Sequence, residues 1–426
     1  MKTTARFTSL ALGISLLGGC LSPIDQRAQD GIHALDACDL RTADTAFADA
    51  FAMDETRSDI ALAYALTELG VLAEDPALTA IAPRLGFDRP IDSSILWGHD
   101  GLLDRLSQHD SCSAVDELLH TRFPHPSARP SGPDFWSTVD PTLTLGDVRT
   151  TLVALSPRLQ RISHAFEVAA HGMDANGVSL SGGCGISASP LRVQAPELLA
   201  AAAALEAARA GIQMALAYDG AMTVQLLFSH YQHEDALVAQ LNAHALRVTD
   251  ASQLEAGRPI LEHAIALGQQ AVTAARAIRT HQSDAAFDWT AMPVSVLDDV
   301  DAFGAAGASA LTADAATATA IPRFSPALGI RIGSFFSRAY DMGAQGALWS
   351  VQTSSFGSPE ITFDDHAFED GFADRFDSNP WALGAPSRSF SIDWTFESSP
   401  TNPFSATFDP GMRWSHGFSC HSTTTP

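Results

Sequence analysis

Apolar positions between about residues 25 and 119 recur three and four apart, the spacing that lines one face of an α-helix. Gly31, Ala34, Leu35, Ala43, Phe47, Ala50 and Phe51 form the clearest run and predict two amphipathic helices. Cys38-Asp39-Leu40-Arg41 reads as the tight connection between them. The pattern breaks at Arg122–Pro133, where four prolines fall within twelve residues and no helix can continue. Helical spacing resumes over Thr144–His171, with Val148, Leu152, Leu155, Leu159, Ile162 and Phe166 on one face. Asp174–Gly185 is turn-rich, with room for a short strand at Val178–Leu180. Two Ala-rich helices are then predicted, over Ala195–Tyr218 and Ser252–Thr280. The second directs Leu254, Ile260, Ala264, Leu267, Ala271 and Ala275 inward.

The last hundred residues lose this spacing. Phe390-Ser-Ile-Asp-Trp-Thr-Phe396 alternates apolar and polar positions as a half-buried strand does, and Phe404–Phe408 is similar. The pattern as a whole predicts a mostly α fold. Helical hairpins span 20–121, a Pro-rich linker 122–139 and an α-helical body 140–310. An irregular C-terminal cap with minor β occupies 311–426.

Gly31, Ala43 and Ala50 stand at the intervals where tetratricopeptide repeats place small residues at the crossing of paired helices. Phe47 matches the aromatic of their second helix. On these residues the segment 25–90 resembles that repeat family, with a weaker second copy through Ala61, Ala65, Leu69, Ala77 and Ile81. It departs from the family in having no Trp or Tyr in the first helix, and in carrying Glu55 where proline usually ends the repeat. The resemblance implies stacked helical hairpins whose grooves bind proteins.

At the start of the chain, Lys2 and Arg6 precede an apolar run from Phe7 to Leu17. That run is long enough for a secretory signal core and too short to cross a bilayer, which needs about 20 apolar residues. Leu16-Leu17-Gly18-Gly19-Cys20 resembles the lipobox of bacterial lipoproteins. The resemblance implies a signal peptide over 1–19, cleavage before Cys20 and acylation of that cysteine. Leu21, in place of an aspartate, implies sorting to the outer membrane.

Charge narrows the partners. The chain carries a net charge of −24, and Lys2 is its sole lysine. Once 1–19 is removed, 23 arginines remain against 49 acids, a net charge of −26. Nucleic acids and anionic membranes both demand clustered Lys and Arg, so neither is an expected partner. The lipid at Cys20 is then the expected membrane attachment. The lack of lysine in the mature chain also excludes Schiff-base chemistry, a P-loop and a kinase-type nucleotide site. Four further cysteines, Cys38, Cys112, Cys184 and Cys420, are disulfide candidates that allow three pairings. Cys38–Cys112 with Cys184–Cys420 is the expected arrangement, and the spacings are too wide for a paired C-x-x-C zinc site.

Three clusters could carry metal chemistry. Asp364, Asp365, His366, Glu369 and Asp370, followed by Asp374 and Asp377, are oxygen-rich but lack EF-hand spacing. His230 and His233 with Glu234 offer two imidazoles and a carboxylate on one helix face. Asp174-Ala-Asn176-Gly177 is a fragment of a calcium loop. An acidic solvated surface, surface histidines and a plain turn account for these three, so no metal, cofactor or catalytic residue is assigned. No G-x-S-x-G elbow is present either. The expected function is that of an outer-membrane lipoprotein acting as a non-catalytic protein-binding or scaffolding module. A ligand-binding component of a periplasmic transport system is the alternative. A metal-dependent hydrolase would require the 364–377 acids to converge with His230 or His366.

Overall fold

A computed structural model describes residues 22–86, 139–174, 176–180, 191–225, 234–245, 247–278, 285–290, 292 and 294–312. Beyond these it describes 319–320, 329–330, 336, 341, 349–353 and 359–363. The fold is mostly α with minor β.

Helix α1 (Pro23–Asp36) starts with proline in its first turn and with the Ser22 hydroxyl accepting from the Asp25 amide at 3.1 Å. Both features suit a helix start, where the first amides have no partner within the helix. Helix α2 (Leu40–Met53) is capped by Asp39, which accepts from the Thr42 amide at 3.0 Å. The connection turns through Cys38, whose φ of 61° lies in the left-handed region. A non-glycine residue there costs about 1–3 kcal/mol, so surrounding structure must hold it. Cys38 is disulfide-bonded; the other four cysteines lie outside the described residues. The α1–α2 crossing is tight. A Cβ on Gly31 would stand 2.8 Å from the Phe47 ring, so only glycine lets the two helices approach this closely.

Helix α3 (Ser58–Leu72) is buried on all sides, with Ile60, Ala61, Leu62, Tyr64, Ala65 and Leu72 in the core. It lies between α2 and α5 (Leu145–His171). The second repeat-like copy gives an unequal pair, because its second helix, α4 (Pro76–Ile81), has six residues. Pro83 follows within two residues, and its ring nitrogen cannot donate to continue the helix, so a 3-10 turn at Pro83–Leu85 ends the run. The second face of α3 is therefore covered by α5, far along the sequence.

Helix α5 opens on a reciprocal capping box between Thr144 and Asp147. Strands β1 (Val178–Leu180) and β2 (Leu191–Val193) pair antiparallel, with Val178 opposite Val193. Helix α6 (Ala195–Ala215) follows, then α7 (Glu234–His244), α8 (Ser252–Ala277) and α9 (Val294–Thr312). The two Ala-rich helices end three residues before the positions that spacing alone suggests. Helix α6 is long and apolar enough to cross a membrane by length and composition; in the structure one face packs between α5 and α8. One hydrophobic core runs through Leu35, Phe47, Ile60, Ile162, Phe166, Leu198 and Leu267, joining α1–α3 to α5, α6 and α8.

Short antiparallel pairs complete the described chain: β3 (Thr319–Ala320) with β4 (Gly329–Ile330), and β5 (Trp349–Thr353) with β6 (Pro359–Phe363). The Asn242 side chain on α7 holds the Trp349 backbone from both sides, donating to its carbonyl at 2.8 Å and accepting from its amide at 2.9 Å.

Candidate functional site

A cleft of about 520 Å³ opens where α2, α3 and α5 meet. That volume is in the range of small-ligand sites, roughly 300–1,000 Å³. Helix α2 contributes Asp44, Ala48, Phe51 and Ala52 from one face, and Glu55 from just beyond its end. Tyr64 and Glu68, one turn apart, come from α3. Arg161 and His164 come from α5. Aromatic rings line one wall, with Phe51 stacked on Tyr64 at 5.5 Å between centroids and tilted against His164 at 6.0 Å.

The floor is ionic. Glu68 is nearly inaccessible, and Arg158 grips it with two bonds, Nε to Oε1 at 2.8 Å and Nη2 to Oε2 at 3.0 Å. The same guanidinium donates through Nη1 to Asp75 at 2.8 Å. Asp75 in turn caps α4 by accepting from the Ala77 amide at 2.8 Å. One arginine on α5 therefore fixes both α3 and α4. Arg161, half exposed at the rim, donates to the Tyr64 hydroxyl at 3.2 Å and lies 3.5 Å from Glu68.

Asp44 is the exception in this network. Among the described residues no cation lies within ion-pair distance of it. Its carboxylate accepts a long hydrogen bond, 3.4 Å, from the Thr67 hydroxyl, and it neighbours Glu68. Burial, then the charge of Glu68 and a hydrogen bond with it, push the Asp44 carboxyl up to about 7, opposed by the charge of Arg158 and the Thr67 hydrogen bond. Burial likewise raises the Tyr64 phenol, opposed by its bond to Arg161.

Two other polar sites occur. Glu197, in the capping box of α6, uses one oxygen to accept from the Gln194 amide at 3.0 Å, while its Oε1 is buried without a hydrogen bond. Burial pushes this carboxyl up to about 7, opposed by backbone amides and the nearby Trp289 indole. His244 Nδ1 and Asp219 lie 2.7 Å apart at the α7–α8 connection. Burial opposes ionisation of Asp219, but the His244 hydrogen bond, the Ala221 amide and the charges of His244 and Arg149 outweigh it and lower its pKa. Neither site borders the cleft.

Of the residues singled out from sequence, Cys20, Cys112, Cys184, Cys420, His230 and His233 lie outside the described residues. So do Asp364, Asp365, His366, Glu369 and Asp370. Among the described residues no group of three His, Cys, Asp or Glu side chains could hold a metal ion. Asp174 accepts from the Asn176 amide at 2.8 Å and Gly177 has a φ of 70°, which makes that segment a turn. Sequence reasoning did not single out Asp44, Glu68, Arg158 or Arg161. One signal was present: Glu68 falls three residues after Ala65 and four after Tyr64, inside an apolar stripe where a solvated charge has no place. No protein-family model matches the chain, and no curated protein or solved structure shows significant similarity to it.

Proposed function

We propose that this chain is an outer-membrane lipoprotein, anchored through acylated Cys20, that serves as a non-catalytic binding module and receives a protein partner in the α2–α3–α5 cleft. The observation that carries the reading is the cleft itself: about 520 Å³ between three helices, walled by Phe51, Tyr64 and His164 above Glu68, which Arg158 holds from behind together with Asp75. A rigid floor with an aromatic wall suits recognition, because little order has to be imposed on binding. The repeat-like α1–α2 crossing, sealed by Gly31 under Phe47, agrees with a hairpin scaffold that presents a groove. Among the described residues no observation favours the transport reading in particular. That reading calls for an apolar pocket among the Ala-rich helices, and the cleft lies at α2, α3 and α5 with charged walls.

Two measurements test the proposal. Detergent-solubilised protein is used to select from a displayed peptide library, beside an Ala48→Trp variant that fills the cleft at unchanged melting temperature. Enrichment by the parent that is lost in the variant supports the cleft, and equal enrichment by both overturns it. Cys20→Ser is expected to move the protein from the membrane to the soluble fraction. Retention on membranes overturns the anchor.

A further inference from the structure

We infer that the cleft takes a basic side chain of the partner, a guanidinium or ammonium group, which gives Asp44 a cation at ion-pair distance. The inference rests on the binding-module reading above and names what enters the site. Among the described residues, four carboxyl groups line the cleft, Asp44, Asp49, Glu55 and Glu68, against one arginine, Arg161. Most of the ionic capacity around them is already used. Arg158 is committed to Glu68 and Asp75, Arg161 to Tyr64 and Glu68, and Arg27 lies 3.7 Å from Asp49. Glu68, Asp75 and Glu206 each have an arginine, and the buried Glu197, which has none, accepts a backbone amide at its helix start away from the cleft. Asp44 has a long bond from Thr67 and a second carboxyl beside it. The aromatic wall points the same way, since a cation gains from lying over a ring face within about 6 Å. An anion meets the opposite situation, for it would have to displace Arg161 from Glu68 and face three further carboxyls.

A proton is the alternative occupant of Asp44, so cation entry and proton release are linked. The titratable and charged groups facing Asp44 come from three helices: Asp49 and Glu55 from α2 and its end, Tyr64 and Glu68 from α3, and Arg158, Arg161 and His164 from α5. With the Asp44 carboxyl at about 7, its ionised share rises from about a tenth at pH 6 to about nine-tenths at pH 8. Cation affinity is expected to rise by up to roughly tenfold over that interval.

The test is calorimetric titration of the full-length, detergent-solubilised protein with two short peptides that differ in one residue, arginine or its neutral isostere citrulline, at pH 6 and pH 8. The expected result is tighter binding of the arginine peptide at pH 8, release of protons on binding at pH 6 that nearly vanishes at pH 8, weak binding of the citrulline peptide, and loss of the pH dependence in Asp44→Asn. Ala52→Lys, which tethers an amine at the cleft rim, is expected to block the arginine peptide, and it serves if Asp44→Asn fails to fold. His164→Gln is the control: pH dependence that disappears there and survives in Asp44→Asn overturns the assignment to Asp44. Equal binding of both peptides, abolished by Ala48→Trp, overturns the cationic ligand and leaves the cleft as a binding site. Binding of both peptides that Ala48→Trp does not change overturns the cleft as well.

Discussion

The contact between α3 and α5 is built around Glu68, Arg158 and Asp75, whereas the contact between α6 and α8 is built from Ala202, Ala210, Leu254, Leu267 and Gly257. At Gly257 an added Cβ would come within 2.9 Å of Met214, so the second pair gains its stability from close approach. The buried Glu206–Arg209 pair on α6 joins residues three apart on the same helix and so does not bridge to α8. The first pair carries a buried ionic link, and the second spreads its stabilisation over many small contacts and one hydrogen bond from the Gln213 side-chain amide to Gln253. Close approach does not separate the two pairs, because a Cβ on Gly172 at the end of α5 would collide with the Ser58 side chain of α3; the buried ionic link is what sets the first pair apart.

Arg158→Met should have the largest effect, because it strands Glu68 and Asp75 without their cation. A loss of about 3–5 kcal/mol is expected in urea unfolding. Adding Glu68→Met should recover much of it, since an apolar pair replaces an unpaired charge. A double variant no more stable than Arg158→Met alone would mean that the link is not the organising contact.

Leu267→Ala on α8 should cost about 2–4 kcal/mol by opening a cavity, and this loss should be the same at pH 5 and pH 8. Leu267 is fully buried and has no titratable group to couple to. A marked pH dependence would erase the distinction between the two helix pairs.

Asp44 should make the α3–α5 side respond to pH. Its folded pKa, about 7, lies above the ordinary 3.8, so the native state binds the proton more tightly than the unfolded chain does. The resulting stability is fully present below about pH 4 and is lost as pH rises through about 7. After screening of a partly exposed group, the loss should be on the order of 1–2 kcal/mol. Asp44→Asn should flatten that slope in melting curves taken from pH 4 to pH 8.

The smallest effect belongs to Arg57→Ala. Arg57 meets Asp59 at 2.7 Å and Asp25 at 3.2 Å near the surface. Exposed pairs of this kind contribute less than about 1 kcal/mol and fade with salt. A loss comparable to that of Arg158→Met would show that burial is not what separates the two sites.

Helix positions were largely legible, because periodic apolar residues such as Phe47, Leu155, Ile162 and Leu267 report a buried face wherever it packs. The close α1–α2 crossing was legible too, from Gly31 and Phe47. The candidate site was much less so. Apolar spacing treats every charge as solvated, so Glu68 and Arg158 read as outward-facing until α5 is placed against α3. Their partnership spans ninety residues, and no local pattern encodes it. Asp44 has the spacing of an ordinary helix-surface acid; its neighbours on α3 and α5 set it apart.

The Arg158 link also orders events in time. A chain is made from its N-terminus, so α1 through α4 exist before α5 does. Helix α3 then has an open face, and Glu68 and Asp75 wait 90 and 83 residues for their common arginine. Closing so long a loop is slow relative to forming a local helix pair. The N-terminal hairpins therefore cannot mature as a separate early unit. They form a half-built surface in need of shielding until α5 arrives, and the cleft comes into being only at that late step.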